Sequence, residues 1–315
     1  MSARALRTWA WIAMIAIGLV APYLVYPVFA MNVLCLALFA SAFNLLLGYA
    51  GLLSFGHAAF LGAAAYVTGW ALRDAGLPTE LGVLAGTAVA TALGAVFGAL
   101  AIRRSGIYFA MITLGFAQLV YFLVVQMPWT GGEDGLQGIP RGKALGLIPL
   151  DRPYTAYYFV FVGFLAGFWL LHRTIRSPFG HVLRAIRENE PRALSLGYDV
   201  SRYKLLAFVL SAALSGLAGS LKAVVLQFAS LSDVHWHRSG EVVLMTLLGG
   251  MGTVLGPSVG ALVVLTLENQ LADFGSWVTV ITGAVFVASV ISFRRGIVGE
   301  VRDMVRRSFI GGQVS

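Results

Sequence analysis

Charged residues make up only 11% of this 315-residue chain, while apolar residues make up 58% and the mean hydropathy is +0.83. Soluble domains carry about 25% charge, so a water-soluble domain is excluded and the chain reads as an integral membrane protein. Cysteine is nearly missing too: the single Cys35 lies inside an apolar run, which excludes an internal disulfide framework. Short alternating segments of the kind that build a membrane barrel are absent, which leaves helices as the spanning element.

Catalytic patterns are missing as well. Gly142-Lys143 is followed by Ala144, and Gln137 stands where the leading glycine of a phosphate loop belongs. There is no HExxH helix and no cysteine pair, so metal hydrolysis has no evident ligands. His235 and His237 flank Trp236 in what reads as an outward loop, but two ligands alone do not make a metal site. No enzyme activity, cofactor or metal is expected.

The charge that is present is basic, with a formal net of +8. Its distribution decides what it means. The arginines and lysines sit at the ends of apolar runs, not on a soluble domain with interleaved aromatics, so they report topology and not nucleic-acid binding. Arg4 and Arg7 precede the first run as in a signal peptide. That run is long enough to span and a second follows at once, so it is expected to stay uncleaved.

Apolar runs of roughly 20 residues, the length of a spanning helix, fall at about 9–28, 31–48, 50–71, 82–102, 107–126, 154–171, 205–227 and 277–293. The third is broken near its start by Gly48, Gly51, Ser54 and Gly56. A longer stretch at 241–271 is interrupted by Gly249, Gly250, Gly252, Gly256 and Pro257. With the N-terminus inside, the cytoplasmic segments hold Arg4, Arg7, Arg103, Arg104, Arg173, Arg176, Arg184, Arg187, Arg192, Arg202, Lys204, Arg294, Arg295, Arg302, Arg306 and Arg307, sixteen of the twenty-two basic residues. The last five are inside only if 241–271 turns back and contributes two passes, the first of them short and partly re-entrant. The expected fold is therefore all-α: a single polytopic transmembrane helix bundle over 1–315 of about ten passes, including glycine-broken or re-entrant segments, with both termini cytoplasmic. A cytoplasmic loop at 172–204, an outward loop at 127–153 and a cytoplasmic tail at 294–315 complete it.

Residues 177–204 form the longest polar passage. Pro178 suits the start of one short helix, Pro191 the first turn of a second, and Gly197 the left-handed position after its end. Phe179, Val182, Leu183 and Ile186 give the first helix an apolar side, and Arg184 and Glu188 stand at i,i+4 spacing. A loop with this much order reads as a docking element for a soluble partner, in place of a floppy connection that only sets topology.

Polar groups inside the membrane are costly and therefore informative. Asn44, Ser54, His57, Thr113, Gln118 and Glu241 lie in or beside apolar runs. A faint internal echo joins Leu46-Leu47-Gly48-Tyr49-Ala50-Gly51, with Gly56 beyond, to Leu247-Leu248-Gly249-Gly250-Met251-Gly252, with Gly256 beyond. Paired glycine-broken segments point to a transport path at a repeat interface. Tyr49, Gly51, Phe55, Gly56, Gly249 and Gly252 would line it with those polar groups. The other reading is that small residues let helices approach closely and His57 is satisfied by a buried interhelical hydrogen bond. The two are compatible. Glu241 is expected to cap a helix start, and Lys222 and Glu268 to snorkel from outer ends.

Four passages together resemble the LivM-type permeases, membrane subunits of bacterial branched-chain amino-acid ABC transporters: residues 47–60 (LGYAGLLSFGHAAF), 130–140 (TGGEDGLQGIP), the 177–204 passage with its AIRENE and ALSLG runs, and 249–257 (GGMGTVLGP). The resemblance covers roughly 30–295. It implies a permease in the bacterial inner membrane, paired with a homologous LivH-like permease, with two cytoplasmic ATPase subunits below and a periplasmic solute-binding protein above. ATP would be hydrolysed in those partners, and alternating access driven through the cytoplasmic helix. On this implication Phe179, Leu183, Arg184, Ile186, Arg187, Glu188, Glu190, Pro191, Ala193, Leu196 and Gly197 meet the ATPase, and Gly131, Gly132, Glu133, Asp134 and Gly135 face the binding protein. Branched-chain amino acids are the default cargo, with other amino acids, amides, urea and small carboxylates open. The competing class is a self-contained secondary transporter or channel, which would need a coupling-ion site, and apart from Glu241 and Glu268 the spans offer little for one.

Overall fold

The computed structural model describes residues 3–144, 146–272, 275, 277–292 and 296–300. The chain begins with helix α1 (Ala3–Leu24), then α2 (Pro27–Asn44), which runs on as a π-helical turn over Leu45–Ala50. A break at residues 51–56 separates this turn from α3 (His57–Arg73). Next come α4 (Thr79–Ala101), α5 (Ile107–Gln126) and α6 (Pro153–Arg176). A polar helix pair follows, α7 (Pro178–Glu188) and α8 (Glu190–Ser195), then the longest helix, α9 (Val200–Leu226). The single-turn α10 (Leu231–Val234) leads to α11 (Trp236–Gly249), α12 (Gly256–Gln270) and α13 (Trp277–Ser292).

Proline and short polar side chains set most starts. Pro27, Pro153 and Pro178 each occupy a first helical turn, where the missing N–H removes an orphan donor. Asn189 Oδ1 accepts from the Arg192 N–H at 3.0 Å to cap α8, and Asp199 Oδ1 accepts from the Arg202 N–H at 3.1 Å to cap α9. Gly197 sits at φ +87° just past α8, a conformation that a side chain would strain.

Five stretches among the described residues are long and apolar enough to cross a membrane: Pro27–Ala50, α4, α5, α6 and α9. Two of them form the centre, since 78% of the apolar window is buried in Pro27–Ala50 and 72% in α9, against 33% in α4 and α5. The small residues of α9 allow this. Gly216 faces Ala90 and Gly219 faces the Leu61 backbone, and Thr68 Oγ1 donates to Ser220 Oγ at 2.9 Å to tie α3 to α9. The outward sides of α4 and α5 carry exposed Leu84, Val96, Leu100, Met111, Leu119 and Phe122. An apolar surface of that extent suits lipid and not water.

Helices α11 and α12 have 14 and 15 residues. At ~1.5 Å per residue each spans about 21–22 Å, short of the ~30 Å hydrocarbon core. They pack as a close pair because Gly249 meets the Gly256 carbonyl and the Gly260 backbone, where a Cβ would overlap. The expected turn-back within 241–271 is thus present as two helices, the first starting at Trp236 and not at Glu241.

Three local expectations change. The segment holding Asp233, His235, His237 and Arg238 is not a loop: it is α10 and the first turn of α11, started by Ser230 Oγ accepting from the Ser232 N–H at 3.1 Å. Glu241 caps nothing; it lies in the second turn of α11, bonded to Arg238. Lys222 does not snorkel, because it is buried and paired with Asp233. Of the expected cytoplasmic tail at 294–315, the arginines Arg294, Arg295, Arg302, Arg306 and Arg307 lie outside the described residues.

At the end of the bundle remote from α7, the described residues of 127–153 are tied down by backbone and side-chain bonds. Strand β1 (Leu136–Gln137) pairs antiparallel with β4 (Phe228–Ala229), Leu136 opposite Ala229, while β2 (Lys143–Ala144) and β3 (Ile148–Pro149) form a small hairpin. The Ile139 N–H donates to the Gln227 carbonyl at 3.1 Å, and Arg141 Nη2 to the Val225 carbonyl at 2.8 Å.

Candidate functional site

The site assembles where three segments meet: the π-helical end of α2, the turn between α11 and α12, and α7. Asn44 holds the first two together. Its amide donates to the Thr253 carbonyl at 2.8 Å, and its Oδ1 accepts from the Gly252 N–H at 2.9 Å. Gly48 permits the approach, since a Cβ there would stand 2.7 Å from the Gly252 nitrogen. The two halves of the internal echo are therefore in direct contact, as a repeat interface requires. Gly51 closes the π turn at φ +73°, and the Leu52 N–H bonds back to the Leu46 carbonyl at 3.1 Å. One-turn π segments inside helices recur at functional positions.

Helix α7 lies on this junction. Leu183 is buried in the chain's main core, Ile186 packs in a separate small cluster with Ala193 of α8 and Val200 of α9, and Phe179 stacks on Tyr203 at 5.5 Å between ring centres. The apolar side of the pair is thus used internally, so Leu183, Ile186 and Ala193 anchor the helices and are closed to a partner. Arg184 places its guanidinium 5.2 Å from the Tyr49 ring centre and donates to the Ile175 carbonyl at 3.2 Å. Arg187, one turn on, donates to the Gly48 carbonyl. Glu190 reaches Lys204 of α9 at 2.7 Å. The outside of the pair includes the outer part of Arg187, with Glu188, Pro191, Arg192, Gly197 and an apolar edge of Leu194, Leu196 and Tyr198, Leu194 being 55% and Leu196 68% exposed. Leu194 and Tyr198 were not among the residues singled out from sequence. Their signal was an apolar residue on the polar passage with no place on the inward face.

The remaining path residues sit mostly in closed packing. Ser54 Oγ accepts from the Gly56 N–H at 3.2 Å, and Thr113 Oγ1, which donates to the Ala110 carbonyl at 2.9 Å, accepts from the Phe55 N–H at 3.1 Å. His57 is enclosed by Phe43, Phe60 and Phe208. Ser211 Oγ donates to the Ala42 carbonyl at 2.6 Å, so its proton is committed and His57 Nε2 donates to it at 2.8 Å. That fixes the tautomer and leaves Nδ1 without a partner among the described residues. Tyr49 is buried and Gln118 half-buried. Gly249 is also buried. With Ser54 and His57 fully buried, a path along them requires α3 and α9 to separate.

Sequence reasoning did not foresee a buried ionic cluster at the far end of α9. Lys222 pairs with Asp233, whose carboxylate also lies 3.4 Å from Arg238, and Arg238 bonds Glu241. The cluster ties α9, α10 and α11 into one block. In the 127–153 segment, Glu133 and Asp134 are exposed on a 3-10 turn, while Gly131, Gly132 and Gly135 take positive φ and Gly135 is buried against the Ala229 carbonyl.

A membrane helix bundle whose broken helices meet beneath a clamped amphipathic helix has the architecture of a transport protein. A family model described as branched-chain amino acid transport system / permease component matches residues 28–290. The chain is 27% identical over 286 residues to the high-affinity branched-chain amino acid transport system permease protein LivM of Salmonella typhimurium, covering 84% of this chain and 67% of that protein, and matches LivM of Escherichia coli to the same extent. It is also 28% identical over 210 residues to the ribose import permease protein RbsC of Escherichia coli, covering 62% of this chain and 63% of that one. No solved structure matches it. The chain belongs to the branched-chain amino acid transport system permease family.

Proposed function

We propose that this chain is one of the two pore-forming subunits of an ATP-driven importer in the bacterial inner membrane, carrying branched-chain or related amino acids delivered by a periplasmic binding protein. A homologous LivH-like permease completes the pore and two cytoplasmic ATPases drive it. The supporting observation is the α7–α8 pair: anchored to the bundle by its inner side, it leaves Glu188, Arg192, Leu194, Leu196 and Tyr198 exposed toward a partner. Helix α7 lies on the broken ends of α2 and α11, so a push on it meets the membrane core at once.

In this reading α1, α2, α3, α4, α5, α6, α9, α11, α12 and α13 alternate across the membrane as ten passes, with both termini cytoplasmic. The basic residues beside α6 and α7 then lie inside, in keeping with the charge rule. The segment 127–153, with Glu133 and Asp134 exposed, faces the binding protein. Alternating access follows if closure of the ATPases moves α7 and separates the paired breaks. The cargo assignment comes from LivM-type relatives; ribose and autoinducer-2 permeases in the same family mark the range of solutes to be tested.

Affinity purification of the tagged protein from gently solubilised membranes, followed by mass spectrometry, tests this. Recovery of a second permease and ATPase subunits is expected. A lone protein that moves solute in liposomes without ATP would refute the importer and turn attention to a coupling-ion site near Glu241.

A further inference from the structure

The importer reading needs a place where movement of the cytoplasmic helix enters the membrane domain, and the inference here rests on that reading. Leu183 and Ile186 make apolar contacts, which tolerate sliding, while Arg184 bonds the Ile175 carbonyl at the end of α6 at 3.2 Å and Glu190 of α8 pairs with Lys204 of α9 at 2.7 Å, neither of them reaching the breaks by a hydrogen bond. Arg187 is different. Its stem crosses Gly51, where a Cβ would stand 3.0 Å from the Arg187 Cγ, and its guanidinium donates to the Gly48 carbonyl. A Cβ on Gly252 would lie 3.5 Å from Arg187 Nη1 and 3.4 Å from the Gly48 oxygen. One guanidinium therefore bonds one half of the paired break and stands beside the other.

The chemistry of the bond is also specific. Gly48 lies among the last carbonyls of a helix, which have no intrahelical donors and carry the negative end of the helix dipole. A cation at that end is favoured, and here the cation is supplied by another element. Arg184 reinforces the register by covering Tyr49, one residue further along the same π turn. We propose that Arg187 is the positioning residue that transmits displacement of α7 to the Gly48 and Gly252 breaks, and that it is not an ATPase contact. A directional charged bond must either carry Gly48 along when α7 moves or break. Asn44, bonded to Gly252 and Thr253, carries the movement on into α11 and α12.

The test uses the purified complex reconstituted in liposomes, with uptake and ATP hydrolysis measured together. In Arg187→Ala the ATPases should co-purify in wild-type amount and hydrolysis should continue, while uptake falls at least tenfold, so that ATP consumed per solute rises by the same factor. Arg187→Lys, which restores a charged donor to the Gly48 carbonyl, should recover most of the uptake. Unchanged stoichiometry in Arg187→Ala would overturn the proposal. Loss of the ATPases from that variant, with wild-type retaining them, would overturn it as well, by making Arg187 a docking or folding residue. If the wild-type protein itself recovers no ATPase, the importer reading fails, and this inference with it.

Discussion

Asn44 bridges the two broken segments, accepting from the Gly252 N–H at 2.9 Å and donating to the Thr253 carbonyl at 2.8 Å. Residues some two hundred positions apart are joined by a single amide. Asn44→Leu leaves one partly buried donor and one partly buried acceptor without their partner, each costing at most about 1–3 kcal/mol. Asn44→Asp keeps the acceptor but sets a buried carboxylate oxygen against the Thr253 carbonyl, two acceptors with no proton between them, so it should be no more stable than the leucine variant. Thermal unfolding in detergent should place both variants below wild type; equal midpoints would show that the bridge contributes nothing.

Lys222 and Asp233 are 7% and 4% exposed, and Arg238 shares the same carboxylate. Removing one partner of a buried pair typically costs about 3–5 kcal/mol. The two removals are not equivalent here. Asp233→Asn strands Lys222 and leaves Arg238 with Glu241 alone, whereas Lys222→Met leaves Asp233 with Arg238, so the aspartate variant should be the less stable. Denaturation of both variants checks the order, and a Lys222 variant that unfolds first would contradict it.

Gly48 has no room for a methyl group, with the Gly252 nitrogen 2.7 Å from where its Cβ would be. Gly48→Ala should force the breaks apart at a cost of about 1–3 kcal/mol. Uptake should fall with it, since the same contact relays the motion. A variant with normal stability and uptake would mean that the breaks do not need to touch.

Leu194 and Leu196 stand out from α8 and its end with no cover from this chain. Leu194→Glu with Leu196→Glu should leave folding within about 0.5 kcal/mol of wild type, as surface changes do, yet reduce ATPase co-purification severalfold. Full recovery of the ATPases would place the docking contact elsewhere.

His235, before α11, has its imidazole held below the ordinary value by burial and then by neighbouring His237. The unfolded chain therefore takes up this proton first as pH falls through the ordinary histidine range near 6.5. Stability declines across that window and is untouched above it. The decline should be shallower in His235→Gln than in wild type, as read from melting temperature against pH; identical profiles would remove His235 from it.

The sequence was legible where a single residue type dictates local geometry. Pro178, Pro191 and Gly197 marked α7 and α8, and Gly48 to Gly56 marked the break before α3. It was less legible where a face needed its cover named. The apolar side of α7 was evident from Leu183 and Ile186, but periodicity says which residues share a face and not whether the chain itself or a partner covers it. Arg187 read as a residue meeting the ATPase, and its bond inward was not legible because its acceptor is a backbone carbonyl, which has no sequence signature. The Lys222–Asp233 pair was hidden by the turn between them. That turn runs through Gln227 at φ 55°, a left-handed position that glycine or asparagine would have advertised.

The short β1–β4 ladder has one more consequence. By stitching Leu136 and Gln137 to Phe228 and Ala229, it fastens the segment after α5 to the exit of the central helix α9. This end of the molecule is a plate and not a tassel. A protein landing on it has little chain to immobilise, so the ordering entropy that weakens association with floppy surfaces is largely avoided. A tilt of α9 would carry the ladder at its end with it.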